Sequence, residues 1–593
     1  MATLTINDIL LTAPESSTIL EAAARAGVRI PTLCNVEGCD ALGACRVCLV
    51  EVAGARNLPA ACSTPVRDGM VVHTNSPRVR KARKQTLELL LSEHNGDCQT
   101  CIRSRDCELR ELSAELGVTS VRYQGEKTSA RIDLSTPALM RDIGKCIKCR
   151  RCVQVCSEIQ GVGALHPQSR GFDTVIGPAF MMDLDTVACV QCGQCSAVCP
   201  VGAITERDYI EDVWKAIADP ERFVVVQTAP AIRAALGEEF GMEPGTLVTG
   251  RMCAALRRVG FDRVFDTNFS ADLTIMEEGT ELLTRLKSAL VGGESVALPM
   301  FTSCSPGWIS FTEYYYPEYL PNLSTCKSPQ QMFGALAKTY YAKSVNKKPE
   351  EMTVVSIMPC TAKKAESQRP EMNSSGVRDV DYVLTTRELG RMLRQAGIDL
   401  PSLEDEGMDS LMGSSTGAAD IFANTGGVMV AALRTAYEIV TGRELPGENL
   451  RVEPVEGLAG VKEASITITG ANEEWSFLEG VTLNVAVAHG LGNARRLMDS
   501  IKRGDASYHF VEVMTCPGGC IGGGGQPRYT DDSVRLKRIE AIYREDQGKP
   551  LRKSHLNPEV QKIYNDFLGK PLGERSHHLL HTHYAQRDLV KSN

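Results

Sequence analysis

The sequence predicts a multidomain protein: an α/β domain with two lobes of parallel sheet, preceded by small α+β modules built around cysteines. Three observations lead there. From about residue 220, apolar runs of strand length alternate with helix-like segments, the pattern of parallel sheets covered on both faces. The chain has 593 residues, too many for one hydrophobic core. Its 22 cysteines are bunched rather than spread, and their CxxC spacings favour metal over disulfides.

Composition narrows the function classes. The chain is 43% hydrophobic and 23% charged, ordinary for a soluble protein, and its net charge of −8 argues against a general nucleic-acid binder. The start, "MATLTINDILLTAPESSTILEAA", has neither a basic region leading into an apolar run nor a twin-arginine signal. No stretch of 18 or more apolar residues occurs, so no membrane span is expected. The expected location is cytoplasmic and reducing, with any membrane link left to a partner.

The first module is expected over residues 1–78. Cys34, Cys45, Cys48 and Cys62 sit among short β-like runs ("ATLTIND", "CLVEV", "MVVHT") and one helix-like run, "TILEAAARAG". Four thiolates on a glycine-bearing loop and a following strand suit a β-grasp 2Fe–2S module of plant-ferredoxin type. The spacing differs from the plant one and resembles the N-terminal domain of complex I large subunits and complex hydrogenases. Cys39 is left over as a non-ligand.

The second module, residues 79–118, opens with the amphipathic "VRKARKQTLELLLSEH". His94, Cys98, Cys101 and Cys107 have H-x3-C-x2-C-x5-C spacing. Zinc accepts such mixed donors. The position between iron–sulfur segments favours a 4Fe–4S cluster, and the group resembles the one-histidine, three-cysteine module of the same families.

The third module, residues 136–209, is a duplication. Cys146, Cys149, Cys152 and Cys156 repeat as Cys189, Cys192, Cys195 and Cys199, each run C-x2-C-x2-C-x3-C. In a two-cluster ferredoxin the fourth cysteine of each run serves the other cluster. Cys199 therefore joins the first three, and Cys156 joins the second three. Four clusters in about 200 residues make an electron wire.

In the α/β domain, residues 220–530, three of the strand-like runs lead straight into a cysteine: "FTSC", "MPC" and "VMTC". Ligands of open α/β sheets bind beyond the carboxyl ends of strands, so sulfur is expected to converge there. The run Gly522–Gly525 in "VMTCPGGCIGGGGQP" is expected to let backbone lie close against a bulky cofactor.

"FTSCSPGW", "MPCTAKKAE" and "EVMTCPGGCIGGGGQP" resemble the three signature motifs of the FeFe-hydrogenases, in order and spacing. The tail, residues 531–593, is similar to their small-subunit region, so the resemblance covers essentially the whole chain. In layout it is similar to catalytic subunits of multimeric NAD(P)-linked members and to the larger clostridial monomers. The resemblance implies an H-cluster: a 4Fe–4S cube joined through one cysteine sulfur to a di-iron unit with CO, cyanide and azadithiolate. Cys360, Cys516 and Cys520 match cube ligands, with Cys520 the bridging one. Lys363 matches the donor to a cyanide, a charge-assisted bond in a dry pocket. Pro230, Gln330, Met358, Phe422 and Met514 match pocket positions, and Ala231 stands where a serine is often found.

Many relatives have two adjacent cysteines in the first motif; here Cys304 is followed by Ser305. Cys304 matches the proton-shuttling thiol and Ser305 the cube ligand, and a serine alkoxide is a poorer ligand than thiolate. Either Ser305 ligates, or Cys304 takes that role with Ser305 beside it. Glu278, Glu281 and Ser324 match a carboxylate–hydroxyl proton relay. By spacing alone, Glu278 and Glu281 share one helix face, which a solvated face does equally.

The remaining features have plain readings. His577, His578, His581 and His583 belong to a tail that wraps the domain rather than to a metal site; Cys253 and Cys326 read as buried apolar thiols. "GSSTGAADIF" lacks the spacing of a phosphate loop. The expected function is reversible H2 oxidation, with electrons passing through one 2Fe–2S and three accessory 4Fe–4S clusters. The alternatives are an H2-sensing member of the same fold, or an iron–sulfur electron-transfer or assembly protein. No dinucleotide fingerprint follows a strand, so ferredoxin, or flavin/NAD(P)-binding and 2Fe–2S partner subunits, are expected as electron partners.

Overall fold

The computed structural model describes residues 1–124, 126–127, 130–293, 295–445, 453–454 and 460–590; residues 591–593 of the expected tail lie outside it.

The chain opens with a four-stranded sheet in the order Ile9–Ala13, Ala2–Ile6, Val71–His73, Glu51–Val52. Ala2–Ile6 pairs antiparallel with Ile9–Ala13 and parallel with Val71–His73. Ala2, Leu4 and Ile6 are buried while Thr3 is exposed, the two-residue period of a strand with one covered face. The helix Ile19–Arg25 covers the sheet and starts in a capping box between Thr18 and Glu21. The helix Pro77–Glu93, capped by Ser76, ends at His94.

The duplication in residues 146–199 is also a duplication of backbone. Lys148 and Gln191 have φ of 55° and 56°, and Arg150 and Gly193 have φ of 66° and 73°. Each run thus turns the same way and then enters a short helix, Arg151–Gln154 or Gln194–Ala197. One hydrophobic core holds Cys34 and Cys45 together with Cys149, Cys152 and Cys199, so the modules pack as a unit.

Two sheets build the rest. The first, Arg263–Asp266, Phe223–Thr228, Met352–Met358, Tyr382–Thr385, is parallel throughout. Its central strands are buried almost from end to end, as expected of a parallel sheet covered on both faces. The second has the order Met300–Phe301, Phe510–Met514, Thr482–His489, Val461–Thr467, Glu453–Pro454. Its first three strands are parallel and its last two pairings antiparallel, so the expected second parallel lobe is a mixed sheet. The physical reason lies in Val461–Thr467, which exposes alternate residues to solvent, as antiparallel strands tolerate.

Two smaller expectations also change. The strand expected across "ESVALPMFTSC" shortens to Met300–Phe301, since Pro299 has no N–H to give a ladder. The helix expected over "AIRAALGEEF" is two 3₁₀ turns, Pro230–Ile232 and Leu236–Phe240, with Arg233 turned into the core between them.

The C-terminal segment belongs to both cores. Val560, Ile563, Leu579 and Leu580 pack with the first sheet, and Ala541 and Ile542 with the second. Arg233 holds the centre, fully buried, 2.9 Å from Asp266 and 2.7 Å from Asp420. Removing one partner of such a group leaves charge uncompensated. Arg233→Leu is therefore expected to cost about 3–5 kcal/mol, read as a lower unfolding midpoint by calorimetry.

Candidate functional site

The strand ends deliver sulfur to one place. Met358 leads through Pro359 to Cys360, Met514 through Thr515 to Cys516, and Phe301 leads within three residues to Cys304. A single cavity is lined by Cys304, Ser305, Cys360, Cys516 and Cys520, with Pro230, Gln330, Met358, Lys363, Phe422 and Met514. Every one of these was expected there. Ala231 is the exception: it is buried in the second core, where its carbonyl accepts from Gln526 Nε2 at 3.2 Å. Thr515, which the motifs do not single out, also lines the cavity.

Burial pushes the Cys520 thiol up to about 12, with the neighbouring Cys360 adding to it and Lys363 opposing. Cys516 and Cys360 are raised by burial as well. Thiols gathered this way ionise readily only against a cation, so the donor set suits a metal cluster. Lys363 Nζ donates to the Cys304 carbonyl at 3.0 Å and to both Glu366 oxygens at 3.0 and 3.1 Å. Gln330 Nε2 donates to Glu366 at 3.0 Å, while its buried Oε1 has no partner.

The first motif separates its two side chains. Ser305 Oγ lies 2.7 Å from Thr515 Oγ1 and accepts from the Thr515 N–H at 3.3 Å. The Cys304 thiol, raised well above its usual range by burial, stands in the field of Glu278.

The glycine run has a different reason from the expected one. A Cβ on Gly522 would lie 2.1 Å from the Pro517 carbonyl oxygen, on Gly523 2.3 Å from that of Pro359, and on Gly524 2.2 Å from that of Cys192. On Gly525 it would meet Thr385 Cγ2 at 2.7 Å. Of the four, Gly523 lines the cavity. The run is bare chiefly so that protein segments can press together.

The other thiols gather as their spacing predicts. Cys48 and Cys62 sulfurs are 3.4 Å apart, and Cys34 lies against both Cys45 and Cys62. Cys39 stands outside this group beside Glu158. His94, Cys98, Cys101 and Cys107 line one pocket. His94 Nδ1 is 3.0 Å from the Lys145 carbonyl, which fixes the proton on Nδ1 and leaves Nε2 free to bind. Cys146, Cys149, Cys152 and Cys199 line a second pocket, and Cys156, Cys189, Cys192 and Cys195 a third, with the fourth cysteines exchanged.

The third of these pockets abuts the cavity. Thr361 Oγ1 donates to the Gln191 carbonyl at 2.7 Å, and Gln194 Nε2 donates to the Gly522 carbonyl at 2.9 Å. The Gln194 amide also faces the Cys516 thiol. These contacts link residues far apart in sequence, so no local pattern announces them.

Near Cys304 lies a group of polar side chains. Glu278 is buried, and burial and Glu281 push it up to about 8 against the Ser324 hydroxyl and the Ser303 N–H. Ser324 Oγ donates to Glu281 at 2.9 Å, and Arg285 reaches Glu281 at 2.6 Å. The structure thus brings Cys304, Glu278, Ser324 and Glu281 into one region. Cys326 is buried in the first apolar core, as expected, with Glu281 and His581 beside it; the ligand atoms of these three lie within 4.8 Å of one another.

Comparison with known proteins places this geometry. Residues 222–524 match the C-terminal domain of the iron only hydrogenase large subunit, and residues 532–587 match the iron hydrogenase small subunit. The NADP-reducing hydrogenase subunit HndD of Solidesulfovibrio fructosivorans is 52% identical over 100% of both chains. The chain belongs to the FeFe-hydrogenases. Iron hydrogenase 1 of Clostridium pasteurianum is 39% identical over 99% of this hydrogenase and 100% of its own length. The solved structure of apo FeFe-hydrogenase HydA1 from Chlamydomonas reinhardtii matches 64% of the hydrogenase and 100% of its own chain, at 44% identity and a TM-score of 0.59. The N-terminal part matches a 2Fe-2S iron-sulfur cluster binding domain (1–77), an NADH-ubiquinone oxidoreductase-G iron-sulfur binding region (83–122) and a 4Fe-4S dicluster domain (145–203). The hydrogenase is also similar to cytosolic iron-sulfur assembly component 3 of Pongo abelii, 32% identical over 67% of this chain and 82% of the other. No helix among the described residues is long and apolar enough to cross a membrane.

Two outcomes test the site. Gly524→Ala is expected to lower stability by about 1–3 kcal/mol through overpacking, measured by chemical unfolding. Glu278 is neutral in the fold and ionised in the unfolded chain between its ordinary 4.5 and about 8. Folding then takes up a proton, so its contribution is full below 4.5 and lost as pH rises through about 8. The unfolding midpoint of Glu278→Gln is expected to gain on the parent's across that window.

Proposed function

We propose that this hydrogenase is a catalytic subunit that interconverts H2 with two protons and two electrons at an H-cluster. The convergence of Cys360, Cys516 and Cys520 with Cys304 and Ser305 in one buried cavity carries the reading. The donors fit the cofactor: soft thiols, a lysine ammonium placed for an anionic ligand, and apolar walls from Pro230, Met358, Phe422 and Met514. Cys360, Cys516 and Cys520 would hold the cube, with Cys520 at the di-iron side. Ser305 would stay with Thr515 and Cys304 would serve as the proton-handling thiol, consistent with their separate partners. When bound, the H-cluster supplies the metal at which H2 is split or formed.

The protein's own part is to move charge. Cys304 passes a proton to or from Glu278, Glu278 exchanges it with Ser324 and Glu281, and Glu281 meets the outside beside Arg285. A carboxyl held at about 8 is suited to giving and taking protons near neutral pH. Electrons would leave through the Cys192–Gln194 turn, which touches Gly522 and Thr361.

In this reading residues 1–78 form a β-grasp module with a 2Fe–2S cluster on Cys34, Cys45, Cys48 and Cys62. Residues 79–118 hold a 4Fe–4S cluster on His94, Cys98, Cys101 and Cys107. Residues 136–209 hold the other two accessory 4Fe–4S clusters, residues 220–530 the H-cluster, and residues 531–593 wrap the catalytic domain. The named role of HndD as a subunit of an NADP-reducing hydrogenase supports NAD(P)-linked partner subunits as electron acceptors in the cytoplasm. The proton file favours turnover over sensing or iron–sulfur assembly.

The test uses holo-protein. Cys304→Ala, Glu278→Gln and Glu281→Gln are each expected to lower H2 turnover by about 10²–10⁴-fold, with the infrared bands of bound CO and cyanide retained. Cys520→Ala is expected to lose those bands. Parent-like turnover in all three relay variants, or no such bands in the parent protein, would sink the reading.

A further inference from the structure

The C-terminal segment meets the outer end of the proton file through one histidine. His581 is buried against the helix Thr267–Leu290. Its Nε2 lies 3.1 Å from Glu277 Oε2 and its Nδ1 2.8 Å from Thr325 Oγ1. Thr325 also holds Glu281, through its N–H at 3.1 Å and its hydroxyl at 3.2 Å. A hydroxyl has one proton to give, so Thr325 can donate to His581 or to Glu281, not to both.

Glu277 decides which imidazole nitrogen keeps a proton. It accepts from Tyr564 Oη at 2.5 Å, from the Leu572 N–H at 2.8 Å and from Ser576 Oγ. Burial raises its pKa, but these bonds together with His581 outweigh that and hold it below the usual range. An anionic Glu277 keeps a proton on His581 Nε2. With Nδ1 bare, the Thr325 hydroxyl turns to the ring. With Nδ1 protonated, the ring donates to Thr325 Oγ1, and the hydroxyl proton turns to Glu281. Glu281 then receives one more donor beside Ser324, Arg285 and the Thr325 N–H.

We propose that His581, acting through the Thr325 hydroxyl, is a positioning residue that sets how many hydrogen bonds Glu281 receives and so governs the outer step of proton transfer. This rests on the reading of Glu281 as part of the relay. The groups facing His581 are Glu277 and Glu281 on the helix, Thr325 and Cys326 on the segment after Leu323, and His577 on the tail, while Tyr564 and Ser576 of the tail face its partner Glu277. The His577 ring stacks on it at 4.9 Å, and Arg285 is bound to Glu281.

The experiment is a double-mutant cycle on the holoenzyme, with H2 turnover followed across pH. Thr325→Val keeps the shape and the N–H but removes the rotating proton. His581→Asn keeps a polar group towards Thr325 but cannot take up charge. Each is expected to lower turnover about 3- to 10-fold, the size of ordinary coupling within one hydrogen-bond network, and to alter the pH profile. The double variant is expected to be no worse than the poorer single one. Unfolding midpoint and infrared bands of Thr325→Val are expected to match the parent. The proposal is overturned if Thr325→Val keeps the parent's turnover and pH profile, or if the two losses multiply. Glu281→Gln separates the two layers: parent-like turnover there removes the relay itself, whereas a loss there with a silent Thr325→Val removes only the role of His581.

Discussion

Four thiols brought together out of water constrain the structure around the central cavity. Burial makes each one hard to ionise, and their nearness makes it harder. The arrangement is favourable only around a metal cation, and it requires a frame that holds the sulfurs in place when none is bound. The frame is the two sheets. Strands that end in Met358, Met514 and Phe301 are locked in buried cores, so the loops that follow have little freedom. The bare glycines of Gly522–Gly525 let two further backbones, at Pro359 and Cys192, close against the thiol-bearing loop.

The same closeness joins the electron side to the site. Because Gly524 has no side chain, the turn at Cys192 lies directly on the loop between Cys516 and Pro527. Gln194 fastens the turn to that loop, and Thr361 fastens it to the loop carrying Cys360, with one hydrogen bond each. The proton side uses opposite physics. Burial and the nearby Glu281 raise the Glu278 carboxyl to about 8, while Glu281 is surrounded by donors. Two carboxylates one helical turn apart are thereby placed in different surroundings.

Much of this was legible in the sequence because the chemistry is local. Metal-ligand spacing within a turn is set by the backbone, so each cysteine run announces its own pocket, and duplicated runs announce duplicated backbone. Motifs at strand ends announce a shared site because parallel sheets place those ends together. What was misread depended on neighbours. The second sheet is mixed because its outer strand faces water. The glycine run is bare because of Pro359 and Cys192, not chiefly because of the cofactor.

The sequence by itself determined the cluster modules, the thiols of the cavity and the family, since each is written as short spacings of reactive side chains. Only the tertiary structure decided how these parts touch: Ser305 on Thr515, Gln194 on Gly522, and His581 between Glu277 and Thr325. Those contacts join residues hundreds of positions apart. Whether such residues meet depends on how the cores pack, which no local pattern encodes.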